Sequence, residues 1–481
     1  MKRLKRRDFL KAAALASMGG VFTACQPRAS EVAKSVVTEG EPAPKASVKI
    51  RNIVWAATAD MIPLYESFTQ TFSERFPHIE VEYIFVPNPQ YVARLTTMEA
   101  AGDPPEVCMP IGGAINYWRA PDYNKWLDLR PLIDRDNYDL DDFHEASIFS
   151  ATDPFRGSID GLPVQLFAGF TVYNKDLFAK AGVEEPPHEW GADGWGYEEF
   201  LELAMRLTID ENGRSSGQSG FDPNNIVQFG YWHSSYDPTW GWFFGGEAIR
   251  THPTDRQNVY VGEDPFIEGA QFWQDAVYKH RIMPYPYEAE EFQGTLASPF
   301  HTGKIAMASG MTWNVASYIP ISDFEVDFAA TFHGPVRDRY INRLCMDQGS
   351  MFTGGKHHDE AWEWIKFCSS PEMSFRFSVD LRECLPARKS AIPRYGERLA
   401  MRMPDVDGDV VAESLGYSWY EEYWTAPVEW DEVYNPARDK IRLEGVPPAE
   451  VLPEAQRRVQ ILFDEYYAQF PDMPPMERIK F

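Results

Sequence analysis

The sequence predicts an α/β protein of two or more lobes built on βαβ units and a mainly parallel sheet. Three observations carry that reading. Strand-like and helix-like segments alternate from residue 48 onward, and 481 residues are more than one core commonly holds. The composition, 44% hydrophobic and 25% charged, is that of a soluble globular chain.

The elements follow in order. Val48 to Ala57 (VKIRNIVWAA) reads as a strand, and Met61 to Phe76 as a helix ended by Pro77. Ile79 to Val86 (IEVEYIFV) alternates with the period of two that a half-buried strand requires. Tyr91 to Ala101 returns to helical spacing before Gly102, and Glu106 to Ile111 is a third strand stopped by Gly112-Gly113. A second set opens near Gly161-Leu162-Pro163. Phe167 to Tyr173 is its strand, Lys175 to Ala181 a short helix closed by Gly182, and Glu198 to Leu207 a longer helix. The Gly/Ser-rich stretch Asn212 to Asn225 reads as an exposed loop, and Ile305 to Gly310 (IAMASG) as a buried strand. Glu360 to Cys368 sets Trp362, Ile365 and Cys368 on roughly one helical face. Ser370 and Pro371 fit the N-cap and first position of the next helix, and Pro448 to Tyr467 is helical again. No internal repeat is visible. Open α/β sheets bind ligands beyond the carboxyl ends of their strands, which points at Trp55 to Asp60 and at the Gly112-Gly113 loop.

The formal net charge is −26, and the basic residues Lys2, Arg3, Lys5, Arg6, Arg7 and Lys11 make the remaining chain more acidic still. Such a surface argues against nucleic acid, whose binding needs phosphates to be neutralised. The paired arginines lead into an apolar run from Ala12 to Ala24, too short to span about 30 Å of hydrocarbon. Residues 1–24 therefore read as an export signal resembling the twin-arginine kind. The small residues before Cys25 resemble a lipoprotein processing site, although Phe22 departs from the usual Leu; an ordinary signal with a chance cysteine is the alternative. Residues 25–47 become a lipidated cysteine and a flexible tether, since Ala, Ser, Glu, Pro and Lys leave little to bury. The later cysteines, Cys108, Cys345, Cys368 and Cys384, match no zinc spacing; one disulfide or buried free thiols are both open.

Several segments together resemble the family 1 extracellular solute-binding proteins, the family of the maltodextrin-binding proteins. Ala101-Gly102-Asp103-Pro104-Pro105-Glu106-Val107 is similar to the family's AGDPPDV. Gly161-Leu162-Pro163, then Tyr173-Asn174-Lys175-Asp176-Leu177-Phe178 and Ala181-Gly182-Val183, is close to its YNKDLFEKAG. Thr302-Gly303-Lys304-Ile305-Ala306-Met307 leading to Trp313 is a third match. The fourth runs from Glu360-Ala361-Trp362 through Ser370-Pro371-Glu372 to Leu385-Pro386-Ala387-Arg388. Each is weak alone, but the ordered set covers nearly everything after the tether. The resemblance implies a periplasmic-binding-protein-like fold whose two lobes close over a ligand. Lobe 1 would hold residues 48–162 and 348–384, and lobe 2 residues 163–347 and 385–481. Crossings between them would fall near Gly161 to Phe167, Cys345 to Met351 and Arg382 to Lys389. The implied partners are a carbohydrate ligand, the transmembrane permease subunits of an ABC importer, and a membrane reached through Cys25. The binder itself would be a monomer without cofactor or metal.

Aromatic content is high at 14%, with 15 Trp and 23 Tyr. Large cores explain many of these rings, but flat rings also stack on the C–H faces of sugars. Trp313 stands where the resemblance implies a sugar-stacking Trp. Trp240, in Asp237-Pro238-Thr239-Trp240-Gly241-Trp242, lies where the family also contributes rings. Trp55 ends the first strand, and Trp430 sits in a late segment that the resemblance turns toward the cleft. For each of the four, core packing is the competing account. Gln165 and Phe167 lie at the first crossing, beside the expected cleft. An amide that donates and accepts suits a hydroxyl, although a crossing residue can be purely structural. Asp405-Val406-Asp407-Gly408-Asp409 has the start of a calcium loop but lacks its later glycine and glutamate, so it reads as a solvated acidic turn. His357-His358-Asp359-Glu360 reads as a helix start whose acids meet the dipole. An exported glycoside hydrolase, needing two carboxyls about 5–10 Å apart, is the rival reading; a peptide or polyol binder is another.

Overall fold

The computed structural model describes residues 47–55, 59–112, 125–153, 156–233, 241, 244, 259–294, 296–335, 342–420 and 430–471. The expected signal, Cys25 and the tether up to residue 46 lie outside these residues, as do Gly113 and Trp240.

Eleven strands are described among them: β1 (Val48–Trp55), β2 (Ile79–Val86), β3 (Val107–Ile111), β4 (Gly161–Asn174), β5 (Ile209–Asp210), β6 (Ile226–Trp232), β7 (Ile305–Met311), β8 (Val326–Ala329), β9 (Asn342–Met351), β10 (Leu385–Pro386) and β11 (Ser418–Tyr420). They hydrogen-bond in the order β2-β1-β3-β9-β4-β7-β6-β5, with β8 and β10 on β4 and β11 on β9. β1 runs parallel to β2 and β3, and β6 parallel to β7. The middle differs from the mainly parallel sheet expected. β9 is antiparallel to both β3 and β4, and β4 is antiparallel to β7, β8 and β10. The sheet is mixed because strands that pass between the halves must return in the opposite sense.

β4 is also longer than the sequence predicts. All its 14 residues are buried, so it lacks the alternation that marks a half-exposed strand. Pro163 has no N–H to offer the ladder, and the pairing with β9 shifts register between Pro163 and Gln165. Beyond Asn174 the chain turns into the helix Lys175–Ala181. The Asn174 side chain accepts the Leu177 N–H at 3.2 Å, and Gly182 closes the helix at φ +61°. The helix Tyr197–Leu207 packs on β6 so closely that any Cβ at Gly230 would run into the backbone carbonyl of Ala204.

Two large apolar clusters result. One joins Phe68, Phe72, Leu162, Trp362 and Trp364 with Phe170 and Phe328, on both sides of β4. The other gathers Tyr173, Phe200, Trp273, Phe332 and Phe463. The tail helix Pro448–Tyr467 supplies Phe463 and its neighbours, as its pattern predicts. Ser370 precedes the helix Pro371–Phe375 but does not cap it by side chain; its hydroxyl donates back to the Phe367 carbonyl at 2.6 Å. Cys108, Cys345, Cys368 and Cys384 are all buried free thiols. Among the described residues no helix is long and apolar enough to cross a membrane.

Candidate functional site

The registers locate a site without reference to any ligand. β3 ends at Ile111, level with Gln348 of β9, which pairs with Pro163 of β4. β7 approaches from the other side and ends at Met311, level with Gly169 of β4. The carboxyl ends of the two parallel sets therefore point at one another. They converge on the stretch of β4 from Pro163 to Gly169, about 20 Å at about 3.3 Å per residue. That is where an open α/β sheet offers a ligand its crevice.

The three expected crossings lie side by side in this stretch. Gln165 and Leu166 pair with Asp347 and Met346 on one flank and with Pro386 and Leu385 on the other. Gln165 is fully buried and its amide donates to the Phe377 carbonyl, inside the protein. That donor is thus turned toward the segment Arg376–Asp380, while the amide oxygen is buried without a hydrogen-bond partner among the described residues. Phe167 is only 4% exposed, in a small apolar group with Met311, Cys345 and Cys384. Burial pushes the Cys384 thiol well above its ordinary pKa, so this wall stays uncharged at neutral pH.

Trp313 lies two residues beyond the end of β7, in the turn Thr312–Asn314, with 37% of its surface exposed. Its indole meets the Phe167 ring edge-on, centroids 5.4 Å apart and planes at 62°. The Thr312 hydroxyl donates to the Leu166 carbonyl at 3.1 Å, fastening the turn to β4. Gly112, just past β3, is buried. Trp55 is the last residue of β1, as expected, although its side chain is not among those described. Trp430 opens the helix Trp430–Glu444, is 5% exposed within the second apolar cluster, and stacks on Tyr434 at 4.5 Å. Thr312, Met311 and the two thiols were not singled out from sequence. The cue was the strand ending at Gly310, one residue short, which hid the turn that follows.

The two decoys have structural partners. Asp407 caps the helix Gly408–Glu413 by accepting the Asp409 N–H at 3.1 Å, and its other oxygen lies 2.9 Å from Nδ1 of His188. Asp359, in the first turn of the helix His358–Cys368, pairs with Arg135 at 2.6 Å. Among the described residues no three His, Cys, Asp or Glu side chains are grouped to hold a metal ion.

Two sets of parallel strands that face each other across shared crossing strands define the two-lobed periplasmic-binding-protein fold. Solved structures share it. The ABC substrate-binding protein Lmo0181 of Listeria monocytogenes, in complex with cycloalternan, superposes with a TM-score of 0.69 at 17% identity, covering 86% of this chain and 98% of its own. UgpB of Mycobacterium tuberculosis, in complex with glycerophosphocholine, gives 0.67 at 18% identity, covering 87% and 99%. In sequence, a binding protein of Brucella abortus (strain 2308) is 24% identical over 337 residues, 69% of this chain and 74% of its own length. The bacterial extracellular solute-binding protein family matches residues 56–374, and the chain belongs to that family. Its members are binding proteins rather than enzymes.

Proposed function

We propose that this protein is the solute-binding lipoprotein of an ABC importer, capturing a carbohydrate, an oligosaccharide by preference, and delivering it to a membrane permease. The observation that supports the carbohydrate reading is Trp313: a part-exposed indole just past a strand end, resting edge-on against the buried Phe167. A pyranose presents C–H faces that such a ring covers, and burial of one ring contributes roughly 1–3 kcal/mol. Trp55, Gly112, Gly113 and Trp240 belong to the same proposed site, with Trp430 at its margin. The same reading divides the lobes at the segments near 161–167, 345–351 and 382–389, which pair with one another in the sheet. The similarity to the cycloalternan complex supports an oligosaccharide, while the glycerophosphocholine complex keeps a polyol phosphodiester among the cargoes worth testing.

The deciding experiment is isothermal titration against maltotriose, mannotriose, cyclic glucans and glycerophosphocholine, with product analysis of every mixture. Tight, stoichiometric sugar binding without turnover is expected. Binding of glycerophosphocholine alone would replace the sugar with a polyol, and any glycan hydrolysis would make the protein an enzyme. Anchoring is tested separately: Cys25→Ala should move the protein from the membrane fraction to the soluble exported fraction.

A further inference from the structure

The residues that carry Trp313 are each tied to the same strand. Met311 pairs with Gly169, the Thr312 hydroxyl donates to the Leu166 carbonyl, and the Trp313 indole rests edge-on against Phe167. All three partners belong to β4, within the stretch where the crossings run side by side. Phe167 is itself held from behind by Met311, Cys345 and Cys384, the last two on segments that flank β4. At 4% exposure it has almost no surface left for a ligand, whereas Trp313 has 37%.

We infer that Phe167 is a positioning residue: it sets the tilt of the Trp313 indole and couples that ring to the crossing strand, without touching the ligand. The inference rests on the reading of Trp313 as the ligand platform. An edge-to-face pair has a preferred angle because the positive rim of one ring seeks the negative face of the other. Removing the Phe167 ring takes away one restraint on the angle of the indole. A ligand that stacks on the indole then also has to fix its angle, and loses affinity accordingly. Coupling is reciprocal, so a ligand that fixes the indole also restrains β4 between Leu166 and Gly169.

The test combines a double-mutant cycle with a probe that needs no ligand. Phe167→Leu should weaken binding of maltotriose, or of the tightest sugar in the panel above, by about 2- to 10-fold. In a Trp313→Ala background the same change should cost nothing further. If the two losses instead multiply, Phe167 meets the ligand itself and the inference is wrong. In ligand-free protein labelled with 5-fluorotryptophan, the Trp313 resonance is identified among the 15 Trp signals by its loss in Trp313→Phe. Both Phe167→Leu and Thr312→Val should shift or broaden it. An unmoved resonance overturns the inference even where thermal stability falls, because a merely structural Phe167 would lower the melting temperature and leave that signal alone. Should no sugar bind the wild type, the proposed function fails, yet the fluorine signal still decides the positioning role.

Discussion

Trp313 and Trp430 have the same side chain and opposite surroundings, and their replacement should separate binding from folding. Trp313 is part-exposed at a strand end, so Trp313→Ala should leave urea unfolding nearly unchanged while weakening sugar binding by roughly 1–3 kcal/mol. Trp430 is buried against Tyr434 in the second apolar cluster. Trp430→Ala should therefore cost roughly 3–5 kcal/mol of unfolding free energy, read from the shift in urea midpoint. Lost affinity at intact stability would instead turn Trp430 toward the ligand. At Gln165 the amide nitrogen donates to the Phe377 carbonyl inside the fold, while the amide oxygen is buried without a hydrogen-bond partner among the described residues.

At the level of elements, the second half of the molecule depends on how two short junctions are made. Asn174 ends β4 and caps the helix Lys175–Ala181 in one step. Asn174→Ala should lower stability by about 1 kcal/mol, measured by chemical denaturation. Gly230 sits where β6 meets the helix Tyr197–Leu207, against backbone that cannot step aside as a flexible side chain would. Gly230→Ala should thus cost more, on the order of 1–3 kcal/mol, and show early hydrogen exchange in β6 and that helix. If Gly230→Ala is as stable as wild type, the close approach is not tight. The Gly182 closure was legible because it is local, read from the residue that ends the helix; the Asn174 cap is seen only in the structure.

For the whole molecule, acid is the expected stress. Asp136 is held well below the usual carboxylate range by hydrogen bonds from Arg135, then Lys366 and the Trp362 indole, joining the helix Arg130–Asp136 to the helix His358–Cys368. A lowered carboxylate stabilises the fold above its unfolded pKa of about 3.9 and loses that contribution as pH falls below it. His144 is lowered from 6.5 mainly by burial. The unfolded chain therefore takes up its proton first, and stability falls as pH drops through about 6.5. Both effects have the same sign. Melting temperature should decline from pH 7.5 to pH 5 and again below pH 4, and His144→Gln should lessen the first decline only, the rest coming from His280, which burial also lowers. An unchanged first decline would remove His144 from the account.

Local pattern and motif order sufficed to read the alternating elements of the first half, the α/β class, the family and the position of Trp313 at a strand end. These depend on residues near one another in the chain, where period, caps and glycines speak for themselves. Other features belonged to the tertiary structure alone. The mixed direction of the central sheet, the full 14-residue reach of β4 and the burial of Phe167 behind Trp313 arise from pairings between residues far apart in the chain, as with Leu166 to Thr312 and Gln165 to Pro386. A strand buried on both faces carries no alternation to announce its length. A ring's exposure depends on what distant chain folds over it, which is why Trp313 and Trp430, both candidates in the sequence, part only in the folded structure.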